Sequence, residues 1–155
     1  MKFRIAISVA AALTIGAGAS QGLTAVQQAD DKLSAAIAAP TRTAANVAGD
    51  PYRHPSETLT FFGVKPNHTL VEIWAGGGWY TEILAPYLAS GGGTLYVAAP
   101  EWGRSGITKL QQANAVLYGG LKLADYPVFD GKAAEIPAGS ADVVLTFRNV
   151  HNWRM

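Results

Sequence analysis

Beyond residue 50 the apolar positions come in short solid runs separated by longer periodic ones. Thr69 to Trp74 (TLVEIW) is an apolar run of mostly strand-forming residues, and it meets Gly76-Gly77-Gly78. Tyr80, Ile83, Leu84, Tyr87 and Leu88 then recur at i, i+3, i+4, i+7 and i+8, which is one face of a helix. Pro86 lies inside that helix and removes its own bond to the Glu82 carbonyl, so a kink or a loose last turn is expected. Gly91-Gly92-Gly93 ends it, and Thr94 to Ala98 (TLYVA) predicts a second strand. The strand, helix, strand unit over 69–98 suits a right-handed crossover between parallel strands.

The pattern continues more weakly on either side. Ser56 is placed to cap a short helix containing Glu57, Leu59 and Phe62, stopped by Gly63 and Pro66. Ile107, Leu110, Ala113, Ala115 and Leu117 predict one helix over 105–118, ended by Gly119-Gly120. Tyr126 to Phe129 is a weak strand candidate that Pro127 confines to an edge. Ala141 to Phe147 (ADVVLTF) is a strong candidate, apolar enough to be covered on both faces. This alternation implies an α/β sheet wound with helices on both sides.

The first fifty residues read differently. Lys2 and Arg4 precede an apolar or small stretch of fourteen residues, Ile5 to Gly18, and Ala17-Gly18-Ala19 fits the small-x-small cleavage rule. A transmembrane anchor needs roughly 20 apolar residues, so residues 1–19 are read as a secretory signal and the product as exported, in the periplasm, with no stable anchor after cleavage. Residues 20–50 contain no aromatic residue, and Val26, Leu33 and Ile37 form only a thin stripe ended by Pro40. A linker with a weakly held helix is expected there, with the compact domain over 51–155.

Composition narrows the function. The chain is 49% hydrophobic and 15% charged, which excludes a disordered polymer. Its formal charge is +1, and losing Lys2 and Arg4 leaves ten bases against eleven acids, so the electrostatic footprint of a nucleic-acid partner is missing. The absence of Cys removes disulfides, thiolate metal sites and Cys nucleophiles. His54 and His68 lack metal-ligand spacing, so no metal site is expected.

The chemistry concentrates at the first strand-to-helix turn. In open α/β sheets ligands bind beyond the carboxyl ends of the strands, where a glycine turn lets backbone approach and a helix begins. Residues 72–81 (EIWAGGGWYT) assemble these parts, with Gly76 and Gly78 free to take positive φ and Glu72 able to accept hydrogen bonds. Thr81 stands where a dinucleotide fingerprint needs its third glycine, and no Gly-Lys-Ser/Thr follows to make a phosphate loop. The alternative is three glycines that make only a tight turn. Asp142 at the start of its strand reads as structural, and Trp79 and Tyr80 as core packing. A second constellation, Arg148-Asn149-Val150-His151-Asn152-Trp153, follows the strand at 141–147. His151 is a candidate general base, its reference pKa of about 6.5 suited to a hydroxyl or amine nucleophile, with Asn149 and Arg148 beside it. The competing reading is a loop held by its own histidine and asparagines.

Glu72-x-x-x-Gly76-x-Gly78 after an apolar strand resembles the first motif of class I S-adenosylmethionine-dependent methyltransferases. Tyr52-Arg53-His54-Pro55, Phe61 to Pro66 (FFGVKP), Gly76 to Leu84 (GGGWYTEIL) and Ala141 to Trp153 (ADVVLTFRNVHNW) look like an exported group of methyltransferase-like proteins, over nearly all of residues 51–153. The resemblance implies a doubly wound, mainly parallel Rossmann-like α/β sheet. It implies S-adenosyl-L-methionine as cofactor, held by Glu72, Ala75, Gly76 and Gly78, and a small-molecule methyl acceptor near His151. Three positions depart from the family pattern. Trp74 stands at its first glycine, Ala99 replaces the acid that holds the ribose, with Glu101 the nearby substitute, and Lys132 replaces the acid that reads the adenine, with Asp130 closest. The family's sheet runs to seven strands ordered 3-2-1-4-5-7-6. The sequence supplies four, so the domain is expected to be truncated after strand 4, whose apolar edge would pair with a second copy or a completing chain. A non-catalytic ligand-binding or interaction module derived from that fold is the alternative function.

Overall fold

The computed structural model describes residues 27–28, 31–126 and 135–153. The expected signal, Pro127 to Phe129, Asp130 and Lys132 lie outside them. In chain order the elements are α1 (31–37), α2 (Ala44–Val47), α3 (Asp50–Arg53), α4 (Pro55–Phe61), β1 (Thr69–Ile73), α5 (Thr81–Ala89) and β2 (Thr94–Ala98). A single 3-10 turn at Glu101–Arg104 precedes α6 (Ser105–Ala113), α7 (Ala115–Tyr118), β3 (Lys122–Ala124) and β4 (Val143–Thr146), and a last 3-10 turn covers Val150–Trp153.

The four strands form one parallel sheet in the order β3-β2-β1-β4, an α/β architecture. Side chains alternate between its faces as strand geometry requires. Leu70, Leu95, Val97 and Leu145 point to one face and join Leu33, Leu59, Ile83, Leu84, Leu88, Ile107 and Tyr118 in the larger core. Val71, Tyr96, Ala98 and Ala124 point to the other, where Ile73, Tyr126 and Ile136 pack on them. Among the described residues the helices therefore cover one face, where helices on both were expected. Val144, on the second face of β4, is 56% exposed, so β4 is not the doubly covered strand that its composition suggested.

Several boundaries differ from the sequence reading. A strand that the sequence pattern did not announce, Lys122–Ala124, continues the parallel ladder from β2, while of the candidate at 126–129 only Tyr126 is described. The expected helix over 105–118 breaks at Asn114 (φ −149°, ψ 83°), whose side-chain oxygen accepts from the Leu117 N–H at 3.0 Å and starts α7. Ser56 does not cap α4. The helix begins at Pro55, preceded by His54 in the left-handed region at φ 44°. Asp142 is structural, its carboxylate accepting from the Thr69 N–H at 2.8 Å and its own N–H reaching the Thr69 carbonyl at 2.9 Å.

Residues 31–50 are docked rather than a linker. Leu33 and Ala36 are buried in the larger core. Arg42, 5% exposed, makes a two-pronged ion pair with Asp50 at 2.6 and 2.8 Å. The backbone N–H of Thr43 donates to Glu82 at 2.9 Å and its hydroxyl donates to the other oxygen of that carboxylate. Trp79 donates to the Asn46 carbonyl at 2.8 Å, with the Arg53 guanidinium 4.6 Å from its ring centroid. This cover explains why α5 is buried beyond its expected stripe: Thr81 and Glu82 are sealed along with Ile83, Leu84, Tyr87 and Leu88. Helix α5 runs as one element through Pro86 to Ala89.

Candidate functional site

Parallel strands present all their carboxyl ends on one side, so four loops meet there: residues 74–80 after β1, 99–104 after β2, Asp125 after β3 and 147–151 after β4. The strand order reverses at β1, so the β1 and β4 loops lie side by side at the switch point.

The β1 loop turns through three left-handed positions in five residues: Trp74 at φ 56°, Gly76 at 60° and Gly78 at 85°. Glycine occupies two of them without strain. At the first, an indole stands where a side chain is disfavoured by roughly 1–2 kcal/mol. Its N–H is buried without a hydrogen-bond partner among the described residues, and its ring meets Trp102 edge-on at 5.5 Å. Gly78 is closely packed, since a methyl group there would sit 2.6 Å from Leu110 Cδ1. Gly76 and Gly77 are open, with nothing within 4 Å of where a Cβ would be. Gly106 at the start of α6 closes the turn from behind, a Cβ there falling 2.8 Å from the Gly76 carbonyl oxygen.

Glu72 lies on the helix-covered face of β1 and is 2% exposed. The Thr81 hydroxyl donates to it at 2.6 Å, tying the strand to the first turn of α5. Burial pushes its carboxyl up to about 7, opposed by that hydrogen bond. Ala75 packs partly buried against the larger core.

The β4 loop reaches the same turn through Asn149. Its side-chain amide donates to the Trp74 carbonyl at 2.9 Å, and the Thr146 hydroxyl donates to the Ile73 carbonyl at 3.2 Å. Arg148, at φ 60°, and His151 are exposed on this loop. Thus the two sequence constellations do converge, with Asn149 as the direct link. On the β2 side Ala99 is buried, and Glu101 is exposed in the 3-10 turn.

The sequence reading missed Asp125. It directly follows β3 and is 5% exposed, and it accepts from the Arg104 guanidinium at 2.7 Å. Placing β3 at Lys122–Ala124 would have singled it out, because it is then the acid that ends a strand. Also missed were Trp102, 72% exposed beside Trp74, and the stacking of Tyr80 on Phe147. Among the described residues no helix is long and apolar enough to cross a membrane. Comparison of the chain with protein-family models, with curated proteins and with solved structures returns no match.

Proposed function

We propose that the chain carries a methyltransferase-like Rossmann sheet whose β1 turn binds S-adenosyl-L-methionine for methyl transfer to a small acceptor. The observation that carries this reading is the β1 turn: three left-handed positions in five residues, an open face at Gly76-Gly77, and a buried carboxylate anchoring the strand to the next helix.

The residues present fit such a group at that turn. The space where Cβ atoms would stand at 76 and 77 admits a ligand against bare backbone, and the buried Trp74 indole N–H is a donor with no acceptor among the described residues. Of the four residues expected at the methionine end, Ala75 and Gly76 would line it, while Glu72 and Gly78 are buried and would shape the turn from behind; Glu101 would stand at the ribose end. When bound, the cofactor would supply a transferable methyl on a cationic sulfur, its C–S bonding pair remaining with sulfur as the acceptor's lone pair takes the methyl. Asn149 holds the β4 loop on the Trp74 carbonyl and so fixes the wall where an acceptor would lie. His151 takes the acceptor's proton, directly or through water. Most of the rate would come from positioning, since in-line transfer needs alignment more than acid–base help. Export to the periplasm belongs to the same proposal, and a mature chain beginning at residue 20 by mass spectrometry would support it.

A second reading, a non-catalytic binding or interaction module, is favoured by the β2 and β3 loops. Ala99 offers no carboxylate, and Asp125 is already engaged by Arg104. One calorimetric titration separates the two. Binding of S-adenosylmethionine and S-adenosylhomocysteine at micromolar concentrations is expected; folded protein that binds neither leaves only the module.

A further inference from the structure

The sheet has two outer edges, and they are guarded differently. Strand β3 is three residues long and begins with Lys122, a charge of the kind that blunts natural edges. Strand β4, Val143-Val144-Leu145-Thr146, carries neither Lys nor Pro, and among the described residues no strand pairs with its outer side. The direction of its backbone groups follows from its neighbour. The Trp74 N–H donates to the Ala98 carbonyl at 2.9 Å and the Thr94 N–H to the His68 carbonyl at 3.0 Å, so the even-numbered residues along β1 bond β2. Val71 and Ile73 therefore bond β4. In a parallel pair only one of the two facing residues bonds across, so their partners Val144 and Thr146 turn N–H and C=O to the open edge.

Charge is placed symmetrically about this edge. Asp142 and Arg148 each stand three residues from Leu145, and both are exposed. The Asp142 carboxylate is held in place by the Thr69 N–H at 2.8 Å, and among the described residues Arg148 makes no ion pair. Between them the Val144 side chain is 56% exposed.

We propose that β4 is a self-complementary edge that pairs antiparallel with β4 of a second copy of this chain, centred on Leu145. The proposal is independent of the methyl-transfer reading. A two-fold axis normal to the sheet keeps each face on its own side, so opposite residues share parity and the strand is centred on Val144 or on Leu145. Centring on Leu145 lets Val144 of each copy exchange both backbone bonds with Thr146 of the other, and it sets Asp142 opposite Arg148 of the partner at both ends. Centring on Val144 sets Asp142 opposite Thr146 and Arg148 opposite Ser140, which pairs no charge. Opposite charges facing each other across strands stabilise pairing, and like charges oppose it. This symmetry names the occupant: a foreign strand of one charge matches one end of the edge and is repelled at the other, whereas a second copy matches both. The contact is isologous and closes at the dimer, giving one sheet ordered β3-β2-β1-β4-β4-β1-β2-β3.

Sedimentation velocity on the full chain, from about 10 μM to about 1 mM, tests this together with amide hydrogen exchange. A reversible dimer is expected, in which rising concentration protects the Val144 and Thr146 amides and leaves those of Val71 and Ile73, already bonded within the sheet, unchanged. Arg148→Glu should weaken dimerisation about tenfold, and added salt should then tighten the dimer where it loosens the parent's. Asp142→Arg should weaken it likewise, yet an equimolar mixture of the two variants should form a mixed dimer about as tight as the parent's, because every facing pair is again of opposite sign. A chain that is monomeric at about 1 mM, or a dimer whose protected amides lie elsewhere, overturns the proposal. So does a mixture no tighter than its components, with both variants folded by their urea midpoints, or a dimer that persists on dilution, which would mean exchanged strands. Should Asp142→Arg not fold, the sign of the salt response of Arg148→Glu decides: dimerisation that salt does not tighten overturns the pairing.

Discussion

Glu72 keeps its proton to about pH 7 because folding removes it from water, whereas the same side chain in an unfolded chain titrates near 4.5. Below pH 4.5 both states are protonated and the group is neutral in its effect. As pH rises from 4.5 to 7 the unfolded chain gives up its proton first, so stability falls, by on the order of 3 kcal/mol in all, and is level above 7. Glu72→Gln keeps the shape and the acceptor for Thr81 but cannot ionise. Urea titrations should therefore show the variant matching its parent near pH 4.5 and exceeding it by that amount at pH 8; parallel profiles would disprove the buried acid. Two glycines in the same turn separate folding from binding. Gly76→Ala places a methyl in open space and costs only the left-handed backbone, about 1 kcal/mol, yet it obstructs the proposed ligand face and should lower donor affinity about tenfold. Gly78→Ala adds a clash with Leu110 and Ile107 and should cost about 3 kcal/mol. Urea midpoints and calorimetry on the two variants check both, and equal losses of stability would count against this division.

Among the elements, β1, α5 and β2 were legible because their apolar runs are strong and each is bounded by a glycine triplet. Strand β3 was not: Lys122-Leu123-Ala124 is three residues long with a lysine at its start, while the neighbouring Tyr126 to Phe129 is richer in strand-formers. Propensity does not single out these three residues, and only pairing with Tyr96 to Ala98 selects them. The docking of 31–50 was hidden for another reason. Beyond the thin apolar stripe of Leu33 and Ala36, its anchors are polar and distant in sequence, as in Thr43 on Glu82 and the Asn46 carbonyl on Trp79, so no hydrophobic period announces them. At the site, the glycine turn and the asparagine loop were readable as motifs, but their contact through Asn149 and the Trp74 carbonyl depends on a strand order that periodicity does not encode. Thr43→Val tests the docking. It removes one donor from a buried carboxylate and should cost about 1–3 kcal/mol in urea unfolding; a change below about 0.5 kcal/mol is what a loose linker would give.

The whole molecule is organised around β1, which lies between β2 and β4 and carries the turn on which the proposed function depends. Its two neighbours arrive at very different times. Strand β2 follows within one helical crossover, but the contacts that seat β4, from Asp142 to Thr69 and from Thr146 to Ile73, span 73 residues. A chain made or threaded from its N-terminus thus assembles β1, β2 and β3 while one whole row of β1 amides and carbonyls waits without a partner. Closing that row requires a long loop, which slows the final step and prolongs an intermediate open on one side. Two chains caught at this stage satisfy each other by exchanging their β4 segments. Crowded refolding should therefore yield a swapped dimer in which each glycine turn is met by the other chain's Asn149.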